Sequence, residues 1–583
     1  MSFLDLSQKW EYKYIPELTG GLNYNKPANL LDDSELVTAE GLFLYKNLIQ
    51  KDTGYYTFGQ QVRGEPRLTF QFYKTDGTSE LVLITNDTFY IWAATPSEWQ
   101  YVSDGNSTTT INDEVAGQTV IEVASTTGFS VGDYVGIALS DGSQHQSSIT
   151  SIAAGTSITI ADAIPTGSNT GVGAVVLKAV DLTGSLDIQV SVVVLPSHDW
   201  LVFTNGVDNV KRYNGTDCID LPGLTNVQAR LVGLFNNHLV LAHVTDSGTR
   251  YPQMVKWSDT GDPTNWTSGN AGYQHLYDSE DWLVALSYLG PYMMLYRERS
   301  IVRVSYVGSV DKLFEFESVV SGEGALSQDS VIDLGDFHFF IGNSNVYEYR
   351  GGYDIQPIGD KIYYKIFGNG GELNPSYRAR VFGFYVEELD EVWVFYPDIN
   401  NQKPNKLLRY RQEFQSWTLR EFSHDVTGFG LYQNNNTKTW NDLVGDWTQQ
   451  NWTWDSRSLS ANSPTTHLCS ADNLQVYEYD YLYPTDNGTE ISFELETKDF
   501  GNPRFISRID LFDFRIKGSN VLIEYSIDEG LTWNTLTTIT SSILERNVVY
   551  KQFASQYFRL RFSGTGEFQL QSIGFVYRVE SEI

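Results

Sequence analysis

Short apolar runs recur along the whole chain, and clusters of Gly, Asn, Asp and Pro separate them. Many runs alternate apolar with polar positions or are continuously apolar, as β-strands buried on one or both faces are. The 3.6-residue period of long amphipathic helices is nearly absent, and the 49 glycines suit many tight turns. The chain is therefore predicted to be all-β. Examples of the runs are RLTFQFYK (67–74), ELVLIT (80–85), TFYIWA (88–93), WLVFTN (200–205) and EVWVFYP (391–397).

The runs group into repeated units in which a third strand ends in an aromatic or bulky residue. These third-strand anchors are Trp92, Tyr213, Trp257, Val304, Tyr349, Tyr410 and Tyr479. The spacing from Tyr213 to Tyr349 is 44, 47 and 45 residues, and the next two gaps widen to 61 and 69, as loop insertions would cause. A repeat near 45 residues with about four strands is the spacing of β-propeller blades. We predict a β-propeller of six or seven blades, with unrelated hairpins or two sandwiches as the alternative.

Changes in composition divide the chain further. Residues 105–182 are poor in aromatics and rich in Thr, Ser, Gly and Ala, which predicts a small β-barrel or sandwich inserted after the first blade. Residues Gly41–Phe58 are predicted to supply a strand that closes the ring and removes an exposed edge. The predicted domains are an N-terminal arm and closing strand (1–60), the first blade (61–104), the insertion (105–182), the rest of the propeller (183–486) and a C-terminal antiparallel β-sandwich (487–583).

The charge balance limits the possible partners. The chain has 40 basic and 72 acidic residues, a net charge of −32. That excess argues against a surface that grips nucleic-acid phosphates or anionic lipid, but it suits a surface that DNA passes without sticking. The start has no Sec-type signal, and no apolar run approaches the ~20 residues that a bilayer crossing needs. Cys218 and Cys469 are expected to be buried thiols rather than a disulfide framework.

Motifs that carry chemistry have simpler structural interpretations here. Gly128–Gly132 matches G-x-S-x-G, but no predicted helix follows, so a turn between strands is favoured over a nucleophile. Ser526–Trp533 matches an Asp-box hairpin, in which the Asp caps the turn. The eight histidines form no metal-like group, and pairs such as Glu387–Glu388 or Asp32–Asp33 are expected by chance among 72 acids. With no Walker or Rossmann fingerprint, the chain is predicted to be a non-enzyme without cofactor or metal.

Three stretches resemble the β-propeller nozzle or tail-hub proteins of short-tailed phages, the packaged-DNA-stabilising family. The first is Gly20-Gly21-Leu22-Asn23 followed by LLDDSELVTAEGLFLYKNLIQKDTGYYTFG. The second is the W-S-x-x-G-x-P-x-x-W segment from Trp257 to Trp266, and the third is GEGALSQDSVIDLGDFHFFIGNSNVYEYRGGYDIQPIGDKI (322–362). The likeness covers residues 16–104 and 185–480, and the insertion at 105–182 departs from the simplest members.

The resemblance implies a structural protein of the virion tail, made in the host cytoplasm. Its copies, commonly six, would form a ring below the portal and adaptor proteins, near the tail fibres or spikes, around a channel for genomic double-stranded DNA. Acids lining that channel would repel DNA and let it slide, whereas basic walls would trap it. The candidate channel residues are Asp32, Asp33 and Glu35 in one loop expected to be exposed, and Glu387, Glu388 and Asp390 in another.

Two other functions stay open at this point. A receptor- or glycan-binding tail protein would use the insertion or the C-terminal sandwich, and exposed aromatic grooves would favour it. A sialidase-like propeller hydrolase would bring Arg and carboxylate side chains together at the central funnel. The conduit interpretation expects blades stacked radially into a wheel whose hole admits a double helix.

Overall fold

The computed structural model describes residues 9–309, 312–433, 464–480 and 483–582. Nearly all of the regular structure in these ranges is β, as predicted. The helical elements in the described ranges are one α-helix, α1 (Tyr363–Ile366), and the 3-10 turns Ala28–Leu30, Gln328–Ser330, Asp360–Ile362 and Arg378–Arg380.

The N-terminal segment contributes strands to two different parts of the molecule. Its strands are β1 (Glu11–Ile15), β2 (Gly21–Leu22), β3 (Glu35–Glu40), β4 (Leu42–Tyr45), β5 (Leu48–Lys51) and β6 (Tyr55–Phe58). Strands β1 to β5 join a sheet with the C-terminal strands, whereas β6 joins the propeller. The described N-terminal residues are therefore built into two sheets.

The first blade is followed by the predicted insertion. Blade one consists of β7 (Pro66–Tyr73), β8 (Ser79–Thr85), β9 (Phe89–Ala93) and β10 (Glu98–Tyr101). The insertion consists of β11 (Ser103–Thr109), β12 (Val120–Glu122), β13 (Tyr134–Ala138), β14 (Gln144–Ala153), β15 (Ser157–Ile160) and β16 (Val175–Ala179). Its sheet order is β11-β16-β13-β14-β15-β12, and an antiparallel bridge between Thr110 and Val123 joins the two end strands. The insertion is thus a small closed barrel around its own apolar core.

Blades two to five follow in sequence, each a four-stranded antiparallel sheet. Blade two consists of β17 (Ser191–Leu195), β18 (Trp200–Thr204), β19 (Lys211–Tyr213) and β20 (Cys218–Asp220). Blade three consists of β21 (Val227–Phe235), β22 (His238–Asp246), β23 (Thr249–Trp257) and β24 (Gly272–His275). Blade four consists of β25 (Leu283–Leu289), β26 (Tyr292–Arg297), β27 (Ser300–Tyr306) and β28 (Phe314–Ser321). Blade five consists of β29 (Val331–Asp333), β30 (His338–Ile341), β31 (Val346–Tyr349) and β32 (Gln356–Pro357).

Two more blades bring the number to seven. Blade six consists of β33 (Phe382–Val386), β34 (Glu391–Tyr396), β35 (Lys406–Arg411) and β36 (Ser416–Glu421). Blade seven takes β37 (Gly428–Tyr432), β38 (Thr465–Ser470) and β39 (Gln475–Tyr479) from the C-terminal side. Its fourth strand is β6, which pairs antiparallel with β39 through Thr57 opposite Tyr477. A strand from the start of the chain therefore completes the last blade and closes the wheel.

Every predicted anchor lies in the third strand of a different blade. From Trp92 in β9 to Tyr479 in β39, the seven anchors mark the seven blades in order. Large side chains also fill the spaces between blades, as Phe89 and Phe203 do with ring centroids 5.4 Å apart between blades one and two. The aromatic content thus packs neighbouring blades against each other, and aromatic pairs add to what apolar burial contributes.

The C-terminal strands form the rest of the β-structure. They are β40 (Thr485–Asp486), β41 (Thr489–Glu490), β42 (Phe493–Thr497), β43 (Phe500–Gly501), β44 (Phe505–Ser526), β45 (Asn534–Ser555), β46 (Tyr557–Gly564) and β47 (Phe568–Glu582). Strand β44 is unusually long and runs through 22 residues, past Gly518. Its pairing with β45 shifts on both sides of Gly518, which marks a β-bulge there. The Asp-box follows β44, where Asp528 accepts hydrogen bonds from Ser526 Oγ and Thr532 N.

Candidate functional site at the propeller axis

The centre of the wheel is crossed by a side chain. Nε2 of Gln189, just before β17, donates a hydrogen bond of 2.9 Å to the carbonyl oxygen of Val381. Oε1 of Gln189 accepts a 2.7 Å hydrogen bond from the backbone N–H of Asp329. Val381 precedes blade six and Asp329 precedes blade five, so one side chain from blade two reaches the opposite side of the ring. The expectation that the hole of the wheel admits a double helix is therefore wrong.

The axial cavity beside Gln189 is small. Its volume is about 20 Å³, and its lining includes Arg67, Asp329 and Arg380. The hydrolase alternative predicts such a convergence of Arg and carboxylate groups, but small-molecule sites occupy ~300–1,000 Å³ and one water needs ~10–15 Å³. The cavity therefore has room for about one water molecule and none for a sugar ring.

The charged groups at the axis are bound by neighbours or neutralised. Nη2 of Arg67 lies 2.7 Å from Oε2 of Glu65, and Nε of Arg380 lies 2.6 Å from Oδ1 of Asp187. Burial lowers the pKa of Arg67 to about 10, against the attraction of Glu65 and with the repulsion of Arg380. Burial also raises the pKa of Asp329 to about 7. At the axis, a carboxyl group that is partly protonated at neutral pH therefore lies with guanidinium groups that are already paired with acids. This arrangement suits a packed interior.

The first loop of predicted channel acids is largely paired with basic groups. Asp33 lies 2.8 Å from Lys13 and 3.2 Å from Lys498, and Asp32 lies 3.7 Å from Lys26. Glu35 was expected to be exposed, but it is buried, with 4% of its surface accessible. Its carboxylate accepts hydrogen bonds from Asn23 Nδ2 and from the backbone N–H of Asp32. The structure thus brings these three acids into one turn, in which Asp32 is the most open to solvent.

The second loop of predicted channel acids is the turn between β33 and β34 of blade six. Glu387 is exposed there, and Glu388 is partly exposed. Asp390 has a left-handed backbone with φ of 54° and accepts a 2.9 Å hydrogen bond from Tyr385 Oη. The first loop contacts Lys498, which follows β42, whereas the second loop belongs to blade six. The two acidic loops therefore lie in different parts of the fold. Whether either loop faces DNA stays a prediction.

A buried ionic cluster that the sequence analysis did not single out joins three parts of the chain. Asp52, just after β5, binds Arg409 of β35 and Arg420 of β36, and Oη of Tyr479 donates a 2.9 Å hydrogen bond to Oδ1 of Asp52. Both guanidinium groups are 1% exposed. The available signal was Arg409 and Arg420, each next to a leucine or an aromatic residue within the strands KLLRYR and SWTLRE, because buried charges need partners. The cluster attaches the N-terminal segment to blades six and seven.

A second cavity lies in the C-terminal strands. Its volume is about 330 Å³, and its lining includes Phe500, Phe558, Phe575 and Tyr577 together with Lys13 and Asn502. Nζ of Lys13 lies 5.7 Å from the ring centroid of Phe500. The size and the mixture of aromatic walls with a few polar groups are those of small-molecule sites. Among the described residues, no group of three His, Cys, Asp or Glu side chains is arranged to hold a metal ion.

The strand topology defines the chain as a seven-bladed β-propeller protein with an inserted barrel and a C-terminal antiparallel β-structure. No protein-family model and no curated protein matches it. Within the described ranges, no helix combines the length and apolarity required to cross a bilayer.

Solved structures similar to this chain are distant in sequence. The exo-β-1,3-galactanase of Phanerochaete chrysosporium with galactose is 9% identical, with 83% of this chain and 98% of that chain covered and a TM-score of 0.21. BamB from Moraxella catarrhalis is 8% identical, with 77% and 95% covered and a TM-score of 0.29. Apo AztD from Citrobacter koseri is 10% identical, with 77% and 98% covered and a TM-score of 0.27. At these TM-scores the likeness carries no argument about this chain.

Proposed function

We propose that the chain is a structural, non-enzymatic protein of a phage tail. In this role its copies form a nozzle or hub ring that extends the portal–adaptor channel, retains packaged DNA and conducts it during ejection. The observation that carries the proposal is the combination of a sealed wheel with two edge strands outside it, β1 and β45, each of which has a single partner among the described strands of its sheet. A wheel without a hole gives each copy a rigid body, and an open sheet gives it surfaces for joining neighbours.

In this ring the DNA passes between copies and not through any one propeller. Gln189 crosses the axis of each wheel, so the channel has to be the space that several copies enclose. Six copies would carry −192 formal charges, six times the net charge of −32 of one chain. Acidic walls give DNA little to bind, because affinity for its backbone comes from Lys and Arg that displace counterions.

The candidate channel residues are not equally suited to this role. Asp32 and Glu387 are exposed, so each can present charge to a channel. Asp33 is shared between two lysines and Glu35 is buried, so their charges are largely used inside the protein. We therefore assign any contribution to DNA sliding to Asp32 and Glu387 before the other four acids.

The test is the mass and cross-section of the native assembly. The purified chain, alone and mixed with a portal–adaptor complex, is measured by light scattering and imaged by electron microscopy. We expect a closed ring with a central channel wide enough for a duplex, and little binding of double-stranded DNA at low salt. A chain that stays monomeric in both samples would refute the conduit.

The cavity in the C-terminal strands favours a second candidate function, the binding of a receptor or glycan on the host surface. Its aromatic walls and 330 Å³ volume would accept a sugar or an aromatic side chain. A glycan array probed with the full chain tests this candidate, with Phe500→Ala as the variant that opens the wall. Binding that survives in Phe500→Ala, or no binding at all, would leave the cavity without this role.

A further inference from the structure

Four strands outside the propeller lie side by side within a larger sheet, and the outer two are edge strands. Their order is β45-β44-β47-β1, in which β44 pairs with β45 and β47, and β47 pairs with β1. Among the described strands, β45 pairs only with β44 and β1 pairs only with β47. Both edges therefore present a row of unpaired backbone groups, which readily pair with another strand.

The two edge strands match each other in direction and in level, where level means the position along the strand axis. All three pairings are antiparallel, so β1 and β45 run in opposite directions. Tyr14 of β1 lies opposite Gly574 of β47, Gly574 lies opposite Asp513 of β44, and Asp513 lies opposite Val548 of β45. If a neighbouring copy is displaced by four strand spacings, perpendicular to the strands, its β1 lies beside β45 of the first copy. The two strands are then antiparallel and at the same position along the strand axis.

The β1 edge is held in position before any partner arrives. The side chain of Tyr12 lies over Gly574, where a Cβ atom would be 2.3 Å from its hydroxyl oxygen. Tyr12 Oη donates a 3.1 Å hydrogen bond to Asp513 Oδ2, which Nη2 of Arg546 also contacts at 2.7 Å. The bond therefore attaches β1 across β47 to β44. A strand that is already ordered loses less entropy when it pairs.

Large side chains stand exposed beside both edges. Tyr12 and Tyr14 of β1 are 51% and 54% exposed, and Val548 and Tyr550 of β45 are 40% and 77% exposed. Because partners on adjacent strands share a face, the pairing places all four on the side of the sheet away from Phe512 and Phe514 of the core. Exposed Tyr residues beside an open edge suit an interface, because Tyr is enriched in interfaces.

We propose that β1 of one copy pairs antiparallel with β45 of the next copy and continues this sheet from subunit to subunit. The inference rests on the proposed function, and it names the surface by which the ring is built. The contact joins two different surfaces, so it is heterologous and closes into a ring when the rotation per copy fits. The partner is a second copy of this chain, because one chain carries both strands of the antiparallel pair, β1 and β45, at the same level of one sheet.

The strand spacing gives the size of the resulting ring. With strands ~4.8 Å apart, four strands per copy occupy roughly 19 Å of circumference, and six copies with roughly 24 strands occupy about 115 Å. The circle is then about 37 Å across at the backbone, and strand tilt widens it. That width leaves an aqueous channel for a duplex, and it requires the propellers to lie outside the circle.

Crosslinking tests the pairing directly. One chain carries Tyr14→Cys and another carries Val548→Cys, and the two are mixed and treated with a short bismaleimide. Native Cys218 and Cys469 are buried, and burial raises the pKa of Cys218 to about 12, so both should stay unreactive. We expect dimers of the two different chains only in the mixture, and a ladder that ends at a closed ring when one chain carries both substitutions.

A matched control uses the same strand at another level. Ile543 is 62% exposed on β45 and lies beyond the part of β45 that is level with β1. Ile543→Cys in place of Val548→Cys should crosslink at least about tenfold less, which is ~1.4 kcal/mol of preference. Equal crosslinking at both positions, or self-crosslinking of the Tyr14→Cys chain alone, would overturn the heterologous pairing.

Edge blocking separates this inference from the proposed function. Val548→Lys with Tyr550→Lys should abolish the ring, because charged edge residues prevent strand addition, and Ile543→Lys should leave it intact. If the double variant forms rings as the unaltered chain does, this interface is wrong and the ring proposal stands. If the unaltered chain forms no ring with or without a portal–adaptor complex, both fail. Thermal unfolding of each variant checks that it is folded.

Discussion

Nη1 of Arg420 lies 2.7 Å from Oδ2 of Asp52, and both side chains are almost fully buried. Arg409 approaches the other oxygen of the same carboxylate at 2.7 Å, so one acid from the N-terminal segment lies between two arginines of blade six. Burial alone raises the pKa of Asp52, but the two guanidinium groups outweigh it and hold the pKa below its usual range. The closing strand β6 begins three residues later, so this cluster helps to position the strand that completes the wheel.

Asp52→Asn should therefore destabilise the protein strongly. The substitution leaves two arginines buried without their counter-charge, and removal of one partner from a buried pair costs ~3–5 kcal/mol. Chemical unfolding at pH 7 measures the loss. A carboxylate with a lowered pKa contributes its full stability above its unfolded pKa of ~3.9, and this contribution decreases below that pH. The unfolding free energies of Asp52→Asn and of the unaltered chain should therefore converge in acid. Asp32→Asn, which changes an exposed acid, should stay within about 0.5 kcal/mol of the unaltered chain.

The repeat was predictable because each blade repeats one packing requirement. A bulky residue of the third strand packs between neighbouring blades, as Trp257 and Tyr349 do, so the anchors recur at similar spacing. The widest gap, between Tyr410 and Tyr479, contains residues 434–463, which lie outside the described ranges. The sequence predicts six or seven blades, and the structure has seven.

The site was less predictable because it depends on contacts between distant residues. Gln189 and Val381 are 192 positions apart, and no local pattern marks their hydrogen bond across the axis. Glu35 appears in an acidic turn that looks exposed in sequence, but Asn23 and Lys361 meet it in three dimensions. The 22 residues of β45 contain many Thr and Ser with weak alternation, so the open edge became visible only once its neighbours were placed.

Asp329 should make the protein less stable as the pH rises. Its folded pKa of about 7 lies above the usual value because of burial, so the folded state holds a proton that the unfolded state releases above pH ~3.9. Stability should therefore fall from pH 4 to about 7 and level off above, with a loss of at most about 4 kcal/mol. Asp329→Asn should remove this decline in unfolding curves recorded across that range. Asp181→Asn, at an exposed carboxylate, is the control and should leave the decline in place.

The seam between blades seven and one should tolerate no added methyl group at Gly430. Strand β37 runs beside β7 there, and a Cβ on Gly430 would lie 1.9 Å from Thr69 Oγ1 and 2.1 Å from Thr69 O. Overpacking of this kind typically costs ~1–3 kcal/mol, and more where backbone has to move. Gly430→Ala should thus lower the melting temperature by several degrees. Gly352→Ala is the matched control, because a Cβ there meets only Asp354 N at 4.0 Å; equal effects of the two would refute the argument.

His467 should weaken the same seam in acid. The ring is buried in β38, 4.4 Å from the ring of Phe58 in the closing strand, and Nδ1 lies 3.3 Å from Thr69 Oγ1 of blade one. Burial lowers its pKa to about 3, so the unfolded state takes up a proton below pH ~6.5 while the folded state does not. The stability that His467 confers is thus complete above pH ~6.5 and falls towards pH 3, by at most about 5 kcal/mol.

His467→Phe keeps an aromatic ring beside Phe58 and removes the titration, so it should gain stability relative to the unaltered chain as the pH falls from 6.5 to 4. Burial lowers the pKa of His243 to about 3 as well, so part of the acid loss should persist in the variant. Asp329 acts in the opposite direction over this range, since its proton stabilises the folded state in acid. The readout is therefore the difference in unfolding free energy between variant and unaltered chain at each pH. A difference that stays constant from pH 7 to 4 would show that His467 does not titrate on unfolding.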